Sequence, residues 1–185
     1  KFDFKRIGPQ AIMDRLTFVC QQEEVAFEDS ALAIIAEKAD GSMRDSLTYF
    51  DQVYAFSGSP LTLKATYKVL GVPPEEIFFD IMLAIAKHDQ RACHAQISRF
   101  IERGIEMSDF LGGLLKFQRN LMYSRVDGIE ALEIGVHESN LSQLQELASK
   151  FGRGDILRLA KMTSDLILHL KTASQPRIAL EMGLA

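Results

Sequence analysis

Apolar residues recur every three or four positions along almost the whole of this 185-residue chain. That spacing admits one kind of element, the amphipathic α-helix. Ile12, Leu16 and Val19 begin the pattern after the start signal Gly8-Pro9. Glu28-Asp29-Ser30 opens a second helix with Leu32, Ile35, Ala36 and Ala39 on one face. Gly41 stops it, because glycine reaches the left-handed conformation that closes a helix at almost no cost. Ser42 then caps a third helix, whose face holds Met43, Leu47, Phe50 and Tyr54. Ser57-Gly58-Ser59-Pro60 is the clearest break in the chain.

Beyond the break, Thr62 caps a short helix carrying Leu63, Tyr67 and Leu70, and Gly71 ends it. Pro73-Pro74 leads into a helix from Glu75-Glu76 with Ile77, Phe78, Ile81, Met82 and Ile85. Ile97, Phe100 and Ile101 mark another, which stops near Gly104. Ser108-Asp109 starts a long helix with Phe110, Leu111, Leu114, Leu115, Phe117, Leu121 and Met122. Ser139 starts one with Leu141, Leu144, Leu147 and Phe151, broken by Gly152 and Gly154. Asp155 starts a further long helix with Ile156, Leu159, Ala160, Thr163, Ile167 and Leu170, and Pro176 opens the last. Gly128 to Gly135 gives no clear signal, and Phe2-Asp3-Phe4 is the one stretch that reads as a strand stub. The expected fold is all-α: a small three-helix bundle over residues 1–56, then a larger helical domain over 61–185.

Chemistry is sparse. There is no Gly-rich phosphate loop and no apolar strand ending in paired acids. His88, His94, His137 and His169 fall at no metal-ligand spacing and read as surface or half-buried residues. Cys20 and Cys93 sit among apolar residues as small core fillers, too few for a disulfide framework. The chain alone is expected to catalyse nothing and to hold no metal or cofactor. The net charge of −4 gives no global field for nucleic acid. A local basic excess, Lys150, Arg153, Arg158, Lys161, Lys171 and Arg177 against Asp155 and Asp165, reads as a solvated helix face. No apolar run approaches the ~18 residues of a membrane helix, so a cytoplasmic protein without membrane partners is expected. A start at Lys1 rather than Met reads as a piece of a longer protein.

One motif breaks a local rule. In Gly41-Ser42-Met43-Arg44-Asp45-Ser46-Leu47, Arg44 falls in the first turn of a helix. A cation there opposes the helix dipole at about 0.3–1 kcal/mol. Asp45, three residues after the cap, offsets part of this and is an acidic near-match to a capping box. A helix N-terminus with an arginine beside it is a place to hold phosphate. The plainer alternative is a surface arginine paired with Asp40 or Asp45.

Three stretches together carry a family resemblance: Phe2-Asp3-Phe4-Lys5-Arg6-Ile7, the motif at 41–47 with Phe50-Asp51-Gln52 after it, and Pro176-Arg177 leading into Glu181-Met182. In order along the chain they resemble the gamma/tau subunits of bacterial DNA polymerase III, the AAA+ ATPase subunits of the clamp loader. The resemblance implies a sensor-2 lid over 1–56 and a helical collar for oligomerisation over 61–185. It implies that Arg44 reaches the γ-phosphate of ATP, with Gly41, Ser42 and Asp45 as supports. It places Phe4 and Ile7 at a hinge near the adenine. ATP and magnesium would sit on a core domain that this sequence does not contain. The implied partners are the other subunits of a hetero-pentameric loader, through the collar, and the sliding clamp and primer–template DNA, through the core. The implied function is to couple ATP binding to clamp loading in DNA replication, within a polymerase classed as a nucleotidyltransferase. Two other readings compete: a nucleotide-independent helical interaction module, and the lid of another AAA+ ATPase.

Overall fold

The computed structural model describes residues 5–102, 106–130, 138–152 and 154–184. Among these are ten α-helices and no strand: α1 (Pro9–Gln22), α2 (Asp29–Lys38), α3 (Met43–Ser57), α4 (Leu63–Leu70), α5 (Glu75–Ala86), α6 (Gln90–Glu102), α7 (Met107–Tyr123), α8 (Glu138–Ser149), α9 (Asp155–Leu170) and α10 (Pro176–Leu184). They form two compact units, divided between Val72 and Pro73. The strand stub at Phe2-Asp3-Phe4, Gly104, His137 and most of the Gly128–Gly135 stretch lie outside the described residues. No described helix is long and apolar enough to cross a membrane.

The first unit packs α1, α2 and α3 around Ile12, Leu16, Leu32, Ile35, Phe50 and Val53, all buried. The apolar face of α3 is turned from its expected position. Ser46, Phe50 and Val53 face inward, whereas Tyr54 is 43% exposed and stacks on Phe50 with ring centroids 6.2 Å apart. A serine can take that inward place because its hydroxyl donates to the Met43 carbonyl at 2.7 Å.

The Ser57–Pro60 turn folds back onto the α1–α2 loop. Ser59 Oγ accepts from the Ala26 amide at 2.9 Å, and the Leu61 amide donates to the Ala26 carbonyl at 2.8 Å. The Glu28 amide donates to the Leu61 carbonyl at 3.0 Å, and the Glu28 carboxylate accepts from the Leu63 amide at 2.8 Å. Leu61 is fully buried, and Leu70 at the end of α4 enters the same core. The break in the sequence therefore lies inside the first unit. Thr62 caps α4 by accepting from the Ala65 amide at 3.3 Å, and Gly71 closes it at φ +64°.

The second unit is built on α7, which packs against α5, α8 and above all α9. Its centre is aromatic. Phe100 and Phe110 stack at 4.1 Å, and Phe78 sits 5.7 Å from Phe110 and 6.2 Å from Phe117. Gly113 lets Phe78 approach, since a Cβ there would lie 2.4 Å from the end of its ring. Helix α7 starts at Met107 and α8 at Glu138, each one residue before the expected serine. In α9 the buried positions are Ile156, Thr163 and Leu166; Leu166 was not on the expected stripe, and Leu159, Ile167 and Leu170 are only half-buried. Three members of the basic excess pair with neighbours one turn away: Lys150 with Glu146 at 3.4 Å, Arg158 with Asp155 at 2.7 Å and Arg177 with Glu181 at 2.9 Å. Arg153 lies outside the described residues.

Cys20 and Cys93 are free and buried, and burial pushes both thiols up from their ordinary value. Native chain at pH 8 is therefore expected to alkylate with iodoacetamide at least about tenfold more slowly than chain unfolded in guanidinium, because the thiolate is the nucleophile; equal rates would contradict the burial. Gly113→Ala gains helix propensity of roughly 1 kcal/mol but presses on the Phe78 ring. Overpacking of this kind costs about 1–3 kcal/mol, so thermal melts should show no gain in Tm and a net loss.

Candidate functional site

The turn between α2 and α3 is built from residues that accept positive φ. Asp40 lies at φ +46° and Gly41 at φ +83°. Aspartate tolerates the left-handed region, and glycine enters it freely. Gly41 is also packed. A Cβ there would sit 2.7 Å from Arg6 Cβ and 3.2 Å from the Ile7 carbonyl. The Ile7 amide donates to the Gly41 carbonyl at 3.1 Å. The segment entering from the N-terminal side is thus laid against the start of α3, in contact with backbone that only glycine leaves open.

Ser42 is the N-cap of α3, at φ −97° and ψ 110°, and its Oγ accepts from the Asp45 amide at 3.2 Å. Only half of a capping box forms. The Ser42 amide donates to the Ala39 carbonyl at 2.9 Å instead of turning back to Asp45. The amides of Met43 and Arg44 have no acceptor among the described residues. Two N–H groups at the positive end of a 15-residue helix are left open.

The Arg44 side chain is exposed, and its guanidinium makes no hydrogen bond or ion pair among the described residues. Of the two carboxylates that the plainer alternative offered, Asp40 pairs with Arg6 instead, and Asp45 makes no ion pair with Arg44 among the described residues. Arg6 and Asp40 were not expected at this site. An Asp-Gly turn following a helix, with an arginine two residues after Phe4, was the signal available for them. Ile7, 37% exposed, does come to the motif, while Phe4 lies outside the described residues. Ile7, Gly41, Ser42, Arg44 and Asp45 are thus gathered at one turn. Its chemistry is a free planar cation next to unpaired helix amides, which suits oxyanions of the phosphate type.

Elsewhere His88, His94 and His169 are exposed. No group of three or more His, Cys, Asp or Glu among the described residues could hold a metal ion.

Residues 11–59 match the family described as the DNA polymerase III clamp loader subunit, ATPase lid domain, and residues 61–185 match DNA polymerase III subunits gamma and tau domain III. The chain is 27% identical to the DNA polymerase III subunit tau of Bacillus subtilis over 188 aligned residues, covering 99% of this chain and 32% of that protein. It is 26% identical to the gamma/tau subunit of Mycobacterium bovis, covering 98% of this chain and again 32% of the relative. It therefore spans about a third of the length of these relatives. The solved structure of the Bacillus subtilis DNA clamp loader delta protein shares the fold at a TM-score of 0.54 and 13% identity, covering 98% of this chain and 56% of that one. The chain belongs to the family of DNA polymerase III gamma and tau clamp-loader subunits, of which it carries the ATPase lid domain and domain III.

Proposed function

We propose that residues 1–56 act as a nucleotide-sensing lid and residues 61–185 as the assembly collar of a clamp-loader ATPase in DNA replication, and that Arg44 is the nucleotide contact. The observation that carries this is the free guanidinium of Arg44 at the open start of α3. An exposed arginine that already had a carboxylate partner would have less to gain from a phosphate. Arg6 removes Asp40 from competition, and Ser42 and Asp45 hold the first turn in place.

ATP, held with magnesium on a core domain, supplies an anionic γ-phosphate that is present before hydrolysis and gone after it. Arg44 meets that difference with a planar fork of donors. A lid that contacts one nucleotide state more strongly shifts its own position between the two states, as coupling requires. Gly41 and Ile7 pass the shift to the segment entering the lid, through the Ile7 amide and the Gly41 carbonyl. The collar, joined with four related subunits in a ring, turns lid rotation into a change in the arrangement of the cores around clamp and primer–template DNA.

The collar reading has its own support. Leu157 and Leu168 are 61% and 62% exposed and lie eleven residues apart, three turns along one face of α9. Ile178 and Met182 are 48% and 77% exposed, one turn apart on α10. These apolar side chains serve no core of their own chain and suit contact with neighbouring subunits.

In a full-length subunit assembled with its loader partners, Arg44→Ala should leave helix content unchanged and stability within about 0.5 kcal/mol, since the side chain is exposed. ATP-dependent clamp loading should fall on the order of 10²-fold or more, as for loss of one preorganised charge contact, and Arg44→Lys should recover only part of it. A mutant that loads clamps normally refutes the assignment. The double change Leu157→Glu with Leu168→Glu should leave the Tm of the isolated chain nearly unchanged while preventing co-purification with partner collars; intact assembly would remove that face from the interface.

A further inference from the structure

Helix α9 carries a face that is apolar and cationic at once. Leu157, Lys161, Leu168 and Lys171 fall within about 40° of one line along it at 3.6 residues per turn. The two leucines are 61% and 62% exposed. Both lysines are exposed, and their ammonium groups make no hydrogen bond or ion pair among the described residues. Of the two acids on α9, Asp155 is held by Arg158 at 2.7 Å, and Asp165 lies about 80° round the helix from that line. The charge of the face is therefore not cancelled within its own helix.

The same unit has a groove of opposite character, with a volume of about 230 Å³. Phe79 of α5, Phe117 of α7 and Leu144 of α8 give it an apolar lining. Glu75, Glu76 and Asp80, from the first two turns of α5, stand along it, and no basic residue lines it. The exposed Glu76 carboxylate has no hydrogen bond or ion pair among the described residues. Asp80 accepts from the Gln96 side-chain amide at 3.1 Å, a neutral donor that leaves its charge in place. An apolar trough with an acidic edge suits a leucine flanked by a lysine, whose stem lies on apolar surface while its ammonium reaches a carboxylate. Helix α9 packs chiefly on α7 and α10 and lends no residue to the groove, so one chain can offer both faces together.

We propose that the α9 face of one copy docks into the α5–α8 groove of a second copy of this chain, with Lys161 and Lys171 meeting Glu76 and Asp80. A leucine of α9 enters against Phe79 and Leu144. The contact joins two different faces, so each copy keeps one of each kind free, and copies add in one direction into a ring or an open row. This rests on the assembly role proposed for residues 61–185 and gives that assembly its direction. A nucleic-acid backbone fits the α9 face less well, because phosphates would answer the lysines and leave both leucines in water.

Two charge reversals test the contact, read by sedimentation velocity of the 185-residue chain over a concentration series. Lys161→Glu with Lys171→Glu, and Glu76→Lys with Asp80→Lys, each set like charges against each other and should weaken self-association at least about tenfold. All four side chains are exposed, so each variant should keep its helical spectrum and a cooperative melt. The neutral change Glu76→Gln with Asp80→Asn, milder still for folding, should weaken association in the same direction by about threefold. Mixing the two reversed variants restores opposite charges at every contact, so association should return with the variants in equal amounts. Normal association of either reversed variant alone, or no recovery on mixing, overturns the proposal. In particular, a contact between two α9 faces would respond to the lysine change and ignore the change on α5. A chain that stays monomeric throughout but co-purifies with other loader subunits overturns docking on a second copy and leaves the collar reading standing. A chain that does neither overturns both.

Discussion

The N–H groups that begin a helix have no partner inside it, and in an all-α chain that constraint returns at every junction. At α3, α4 and α6 it is met with a local side chain, whereas α1, α2, α5, α7 and α9 begin without a side-chain cap. Ser42 serves Asp45, Thr62 serves Ala65 and Asp89 serves Ala92. Glu28, at the start of α2, reaches across to the start of α4. At these helices the contacts mark where the helix starts, and so which stripe faces a core. The start of α3 is served by Ser42, with a free arginine in its first turn. The amides of Met43 and Arg44 stay open, beside the guanidinium that we propose as the nucleotide contact. A fully capped helix has less to offer an anion.

Much of this was legible in the chain. Gly8-Pro9, Ser42, Thr62, Gly71, Asp155 and Pro176 each mark a helix boundary at the position where the structure has one, because caps and breakers act over three or four residues. Tertiary detail was less legible. Periodicity said that Tyr54 shares a stripe with Phe50, but it could not say that α3 turns Ser46 and Val53 inward. It could not separate Leu166, which is buried, from Leu157 and Leu168, which are not, since all three are leucines on one helix. At the site, the 41–47 motif pointed to Arg44 and its cap. The Arg6–Asp40 pair was not legible, because it joins residues 34 positions apart and depends on how the entering segment lies.

That pair decides which arginine is available. Three cations, Lys5, Arg6 and Arg44, and two carboxylates, Asp40 and Asp45, lie on the segments that meet at this turn. Had Asp40 faced Arg44, the motif would be a surface ion pair of small worth. The hydrogen bond from Ile7 to Gly41 instead brings Arg6 to Asp40, and Gly41 permits it by having no side chain. The glycine of the motif thus acts on the arginine three residues later without touching it.

The backbone exchange between Ala26, Glu28 and Leu61 bears on how such a chain can be divided. Ser57–Pro60 is the stretch that composition alone marks as a linker. Cleavage or recombination there would not release two finished parts. It would strip Leu61 and Leu70 from the first core and leave α4 attached to a body whose own apolar cluster begins only at Ile77. The junction at Val72–Pro73 leaves both clusters whole. In gene shuffling or protease dissection, the exchangeable module is therefore the lid with α4 attached, about a dozen residues longer than the lid match that ends at residue 59.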